Sequence, residues 1–256
     1  MLPCRKAPRK KSMLRILPIL TAAEIFASFL ITYIIGVIKK DVDVFLPYIS
    51  YTSVDEPQKS VFSQSLNIGA LLLGFNAYIR FLQVKACYEN LSPNENRLNK
   101  AGLVLGLISA FGLSMVGNFH ARYAKVPHYF GAFLAFAIGS AYCWVQNFLT
   151  GKDTSVCIKR VRFVVSVLVS ILLVTFIITV IYYKRNKYQG SKYTVHKGVY
   201  LTSTCSEWLL ALMILIYVGT FFHDFRHVQF KFPTTIYKEA DACDHEMNDS
   251  EAATGL

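Results

Sequence analysis

The sequence predicts an all-α, polytopic membrane protein: a bundle of six transmembrane helices in a chain of 256 residues. Three observations carry this. The chain is 54% hydrophobic and 17% charged, with a mean hydropathy of +0.38, too apolar to stay solvated as a disordered chain. Its apolar residues fall in blocks far longer than a core strand or core helix uses. Its basic excess, a formal charge of +11, lies between those blocks. On a soluble protein that charge would suggest a nucleic-acid partner; at block ends it reads as membrane flanks, and no nucleic acid is expected.

The spans are expected at 16–38, 61–84, 101–119, 126–149, 161–183 and 199–222. Each holds about 19 to 24 residues, enough to cross a core of roughly 30 Å at 1.5 Å per residue. The membrane domain thus runs from 16 to 225, between a basic tail (1–15) and a polar, acidic tail (226–256). In the first span, Thr21, Glu24, Ser28 and Thr32 recur on one helix face. Its apolar block is too long for a secretory signal, and Lys39-Lys40-Asp41 is a poor cleavage site, so it is read as an anchor. The second span repeats the pattern with Ser63, Asn67, Ala70, Gly74 and Ala77, and the third with Gly102, Gly106, Ala110 and Ser114. The fourth carries Gly131, Ala135 and Gly139. Small residues at this spacing let backbones approach closely, so these faces are assigned to helix packing. A second reading is a polar cavity that admits a lipid headgroup or an ion. The fifth span has the weakest such face, Ser166 and Ser170, and is expected to meet the most lipid.

Two carboxylates fall well inside spans, Glu24 in the first and Glu207 in the sixth. Inserting one at a helix centre costs on the order of 3 kcal/mol, so each needs a reason. Glu207 shares its face with Ser203, Thr204 and Ala211 and is expected to point inward. Fastening helices by hydrogen bonds is one role for it; proton coupling or substrate contact is the other. Arg80, near the end of the second span, is expected to snorkel to the headgroups or to pair with Glu24.

Orientation follows from the basic residues. The first tail, the second and fourth connections with their flanks, and the stretch after the last span hold 17 of the 27 Lys and Arg. Both termini are therefore expected in the cytosol. The fifth connection argues the other way, with Lys184, Arg185, Lys187, Lys192 and Lys197 and no acid. Cys4, Cys87, Cys157 and Cys243 then fall in cytosolic segments and Cys143 and Cys205 inside spans, so no structural disulfide is expected. The sequon Asn90-Leu91-Ser92 should stay unmodified on that side.

The remaining motifs are weak. His223-Asp224-Phe225-Arg226-His227 resembles H-E-x-x-H but lacks the Glu and a third ligand, and is read as a juxtamembrane polar turn; no metal and no cofactor are expected. His120, His128 and His196 fall on the outer side, where ordinary interfacial histidines are the default and acid sensing the alternative. No nucleophile–base arrangement is seen, so no catalytic residue is assigned and an enzyme is not expected. The pairs Arg5-Lys6 and Arg9-Lys10-Lys11 are read as a topology determinant, and as a second reading they attract anionic phospholipids of the bilayer. Cys4 beside them is a candidate palmitoylation site. The acidic stretch 239–251 is expected to be a disordered tail.

Several stretches together resemble one family. The first outer loop reads Phe45-Leu46-Pro47-Tyr48-Ile49-Ser50, and Val61-Phe62-Ser63-Gln64 with Leu66-Asn67 opens the second span. The third is bracketed by Asn99-Lys100-Ala101-Gly102-Leu103-Val104-Leu105-Gly106 and Gly117-Asn118-Phe119, and the fourth contains Gly131-Ala132-Phe133-Leu134-Ala135-Phe136. The sixth carries Glu207-Trp208 and exits at Asp224-Phe225. In order and spacing, from about residue 27 to 225, these resemble the damage-regulated autophagy modulator (DRAM) family within the Frag/DRAM/Sfk group. Pro47, Tyr48, Ile49 and Ser50 match its PYIS element. The resemblance implies a non-enzymatic, multi-pass protein of the lysosomal, endosomal or plasma membrane that promotes autophagy. From the Sfk side it implies a partner of phosphoinositide kinase complexes or a regulator of phospholipid distribution. From the Frag side it implies a factor in lipid remodelling of GPI anchors. Three departures stand out: Glu24 where relatives are uncharged, no cysteine pair in the first outer loop, and an extended basic first tail.

Overall fold

The computed structural model describes residues 12–87, 91–151, 154–186, 195–226 and 228–229. The basic pairs at 5–11, Cys4, Asn90 of the sequon, Lys187, Lys192, His227, Cys243 and the acidic stretch 239–251 lie outside the described residues, as does the side chain of His196. The described residues are helical, with no strand among them. The helices are α1 (Leu17–Ile38), α2 (Gln58–Cys87), α3 (Pro93–Asn118), α4 (Lys125–Phe133), α5 (Gly139–Phe148), α6 (Val156–Asn186), α7 (Val195–Gly219) and the short α8 (Phe222–Phe225). A π-helical turn, Leu134–Ile138, joins α4 to α5 in one span. Among the described residues six stretches are long and apolar enough to cross a membrane, from Met13–Ile38 to Lys197–Phe225. Apolar blocks had placed them, but helices continue past the apolar stretch wherever flanking residues still favour a helix. α3 starts at Pro93 because Ser92 and Glu95 cap each other reciprocally.

The spans form a ring in chain order. α1 packs on α2, α2 on α3, α3 on the fourth span, α5 on α6, α6 on α7, and α7 back on α1. α6 stands away from α4, leaving an opening between the fourth and fifth spans. With six spans the first and last described stretches fall at one end, where the Ser12 N–H reaches the Arg226 carbonyl at 3.5 Å. The loop 39–57 lies at the other end. The exterior is apolar: Leu71, Phe111, Ile171 and Ile178 all face outward. That is the inverse of a soluble protein and the condition for lipid contact. The fifth span is the least buried, at 17% of its apolar window, in keeping with its weak polar face. Its two serines meet the fourth span: Ser166 accepts from Asn147 at 2.9 Å and Ser170 from Trp144 at 3.0 Å.

Third and fourth spans meet through glycine. A Cβ on Gly112 would lie 2.5 Å from Leu134 Cβ and 2.6 Å from the Ala135 nitrogen, so only a hydrogen fits there. Gly131 faces the same seam, 2.7 Å from Met115 Cβ by the same measure. Gly102 lies against Gln146, Gly106 against Ala77 and Tyr142, and Gly139 against Ser109. The π turn disturbs the backbone ladder within this seam, and the Ser109 hydroxyl donates to the Ala135 carbonyl at 3.0 Å.

Candidate functional site

At the loop end, residues far apart in the chain converge. The first loop does not stay at the surface but folds down into the ring, burying Tyr48 and Ile49. Its short 3-10 turn, Ile49–Tyr51, presents the Ile49 N–H to Glu207. Glu207 Oε2 accepts that bond at 2.8 Å. The next residue, Trp208, donates its indole N–H to the Pro47 carbonyl at 2.9 Å. Phe29 and Tyr33 on α1 pack edge-on against the Trp208 ring. The loop is also pinned to α1, where the Thr32 and Thr52 hydroxyls lie 3.1 Å apart. Two motifs matched separately in the sequence, Pro47–Ser50 and Glu207-Trp208, are therefore one structural unit. Burial pushes the Tyr48 and Tyr51 phenols, in the loop, above their ordinary range, so both stay protonated.

A cavity of about 350 Å³ opens beside this unit. It occupies the gap between α4 and α6. Its roof is polar, with Ser50, Tyr51, Tyr129, Lys184 and Glu207; its lower walls are apolar, with Phe133, Phe136, Leu173, Phe176 and Ile177. The Lys184 ammonium lies 3.6 Å from the centre of the Tyr129 ring.

At the terminal end lies a second cluster that the sequence reading missed. Asp224 is clamped between two guanidinium groups, with Arg80 at 3.3 Å and Arg162 in direct contact. The side chains are 6%, 4% and 1% exposed respectively, so three ionised groups share an interior site. Arg80 also donates to Gln146 at 3.0 Å, Gln83 at 2.9 Å and the Leu149 carbonyl at 3.3 Å. Arg162 donates to the Thr220 hydroxyl at 2.9 Å and to Thr150 at 3.2 Å. Both guanidiniums lie over the Phe221 ring, at 5.5 and 5.1 Å. This corrects three expectations. Arg80 neither snorkels nor reaches Glu24, because a buried carboxylate offers it a stronger partner. Arg162, counted in the sequence among the basic flanks of the fourth connection, is not a membrane flank but a buried partner of Asp224. Asp224 is not part of a solvated polar turn, although its neighbour His223 is exposed.

Glu24 stands apart from both clusters. It lies over Gly69 of α2, where a Cβ would come within 2.8 Å of Oε2. That oxygen is buried and has no hydrogen-bond partner among the described residues. The small-polar faces elsewhere become hydrogen bonds: Asn76 to Thr21 at 2.7 Å, Ser114 to Asn67 at 2.6 Å, and Ser63 to the Gly117 carbonyl at 2.6 Å. Cys143 is buried, Cys157 and Cys205 are exposed, and all three are free thiols. Among the described residues no group of three His, Cys, Asp or Glu is placed to hold a metal ion.

A ring of six apolar helices, with its first loop drawn in and bonded to a carboxylate of the last, defines a multi-pass integral membrane protein. Residues 13–228 match the family model described as Frag1/DRAM/Sfk1/Cwh43P N-terminal domain. The chain belongs to this family, and within it to the DRAM proteins. It is similar to DNA damage-regulated autophagy modulator protein 2 of Bos taurus, 33% identical over 226 residues, 82% of this chain and 84% of that one. It is 28% identical over 223 residues to DNA damage-regulated autophagy modulator protein 1 of Homo sapiens, covering 86% of this chain and 94% of that one. Modulator of macroautophagy TMEM150B-A of Xenopus laevis is 35% identical over 188 residues, 71% and 72% of the two chains. No solved structure matches.

Proposed function

We propose that this chain is a non-enzymatic modulator of autophagy, resident in lysosomal or endosomal membranes with both termini in the cytosol. The observation that carries the reading is the unit formed by Pro47–Ser50 and Glu207-Trp208, family-matching residues that contact one another, in a chain similar over most of its length to proteins named as autophagy modulators. The non-enzymatic part rests on chemistry. Each buried charge of the terminal cluster is held by a partner, and His128 bonds a backbone carbonyl in preference to a nucleophile. The basic first tail supplies affinity for anionic phospholipids on the cytosolic leaflet, about 1 kcal/mol per residue near the surface. Plasma-membrane residence with a role in phospholipid distribution is the second reading, favoured by the cavity that opens to lipid between α4 and α6.

Two measurements test this. Tagged full-length protein imaged with organelle markers should coincide with lysosomes or endosomes. Turnover of an autophagy marker, measured with and without lysosomal inhibition, should rise on overexpression and fall on loss. Unchanged turnover in both directions overturns the reading; plasma-membrane residence favours the second.

A further inference from the structure

We propose that the cavity between α4 and α6 is a lipid site, taking one acyl chain along its apolar walls and an anionic head group at Lys184. The apolar exterior of the bundle dictates what reaches the opening. Val126, Phe130 and Phe133 on the fourth span and Ile178 and Ile181 on the fifth face outward around it, so the medium at its mouth is hydrocarbon and the solutes are lipids. Its volume, about 350 Å³, lies within the range of roughly 300–1,000 Å³ that holds small ligands.

The lining has the polarity of an amphiphile. Leu173, Phe176 and Ile177 form one wall of the apolar part, and Phe133 and Phe136 the facing one. The α6 lining runs from Leu173 up to Lys184, about three turns of helix, with Lys184 at the loop end. A chain lying there runs along the helix with its head at the Lys184 level, the arrangement of a lipid in the leaflet on the loop side. Lys184 has no ion-pair partner among the described residues, and its ammonium is held over the Tyr129 ring. A cation so oriented keeps donors for an oxyanion. Tyr51 and Ser50 line the same roof and add hydroxyl groups. Glu207 lines the same roof and its carboxyl lies near enough to Lys184 to interact with it; its bond to Ile49 fixes the loop that carries these hydroxyls, so it positions the site.

The opening also has a structural cause. The π turn Leu134–Ile138 lies between α4 and α5; α5 stays on α6 while α4 follows the glycine seam towards α3. Phe136 and Ala137 of the turn are themselves cavity walls. A π turn placed where a helix peels away from its neighbour is a recurrent feature of functional sites.

The shared chemistry, an acyl chain with an oxyanion head, belongs both to bilayer phospholipids and to free fatty acids. The test separates them. Full-length protein in nanodiscs is exposed in parallel to three probes with a photoreactive diazirine in the acyl chain: phosphatidylserine, phosphatidylcholine and palmitate. Adducts are mapped by peptide mass spectrometry. The site is supported if adducts of phosphatidylserine or palmitate concentrate on residues 129–137 and 173–184 and fall at least fivefold with excess unlabelled competitor. Whichever of the two probes labels identifies the source. Ala132→Trp and Ile177→Trp fill the cavity from opposite walls and should each abolish this labelling. Lys184→Gln should reduce anionic labelling about fivefold or more, to the level of phosphatidylcholine. Mapping on the wild type needs no variant, so a misfolded variant leaves the result intact. Adducts spread evenly over the outer faces of all six spans, or equal labelling by phosphatidylcholine that Lys184→Gln leaves unchanged, overturn the proposal.

Discussion

Glu207, inside the sixth span, accepts the backbone N–H of Ile49 at 2.8 Å across 158 residues of sequence. The first loop is thereby an internal part of the bundle. An N–H buried at this depth has no water to turn to, so the carboxylate oxygen meets a need that the loop itself creates.

Glu207→Gln keeps a carbonyl oxygen for Ile49 and should fold, traffic and melt close to wild type. Glu207→Leu leaves that N–H orphaned and should cost about 1–3 kcal/mol, seen as a lower melting temperature in detergent and retention in the endoplasmic reticulum. If the Gln variant reaches its membrane and still loses function, Glu207 does more than hold the loop. A Leu variant with wild-type level, location and activity would refute both roles.

Asp224 answers two buried guanidiniums, and its loss strands both. Asp224→Ala should destabilise by about 3–5 kcal/mol, more than any single surface charge change. Replacing all three residues together, with Arg80→Met, Arg162→Met and Asp224→Leu, should recover much of that loss because no uncompensated charge remains. Thermal unfolding of the purified proteins decides; equal melting of Asp224→Ala and wild type removes the cluster from the account of stability.

His120, in the connection between α3 and α4, is buried, and its Nδ1 has no hydrogen-bond partner among the described residues. Burial, and secondarily Lys59, hold its pKa below the ordinary 6.5, with Glu56 opposing. A depressed folded pKa means the unfolded chain binds the proton more readily. The stabilisation is therefore full above about pH 6.5 and is lost as pH falls through the folded value. Melting temperatures should drop on acidification from pH 7.5 to 5, and His120→Gln should flatten that dependence. Parallel curves for the two proteins would assign the acid sensitivity elsewhere.

The orientation has a direct readout. A glycosylation sequon inserted beside Val44, exposed in the first loop, should be modified, and the native one at Asn90 should not. The reverse pattern inverts the bundle and points to the basic fifth connection as the dominant signal.

Much of this fold was legible because a bilayer imposes length and hydropathy on every crossing, and those are written locally. The glycine faces were legible for the same reason, since Gly102, Gly106, Gly131 and Gly139 recur at helical spacing. Both halves of the loop-end unit were picked out, but their contact was not, because a bond between residues 49 and 207 leaves no periodicity in sequence. The terminal cluster was misread for a more specific reason. Arg80, Arg162 and Asp224 each lie where a charge ordinarily meets the headgroups, and only the packing reveals that α2, α6 and α8 bring them to one point. The signal available was their common depth: three ionisable residues within a turn or two of the same end of three spans. The π turn had no local signature, since Leu134–Ile138 reads as ordinary helix.

The terminal cluster sets an order on biosynthesis. Arg80 and Arg162 leave the ribosome long before Asp224, which follows all six apolar blocks. Until residue 224 is made, both cations belong to an unfinished ring and keep their spans from settling in the dry interior. A nascent chain ending at residue 219 would thus have almost every apolar residue of the bundle and still lack the one carboxylate that pairs with its two buried guanidiniums. The last polar residue of the bundle closes it.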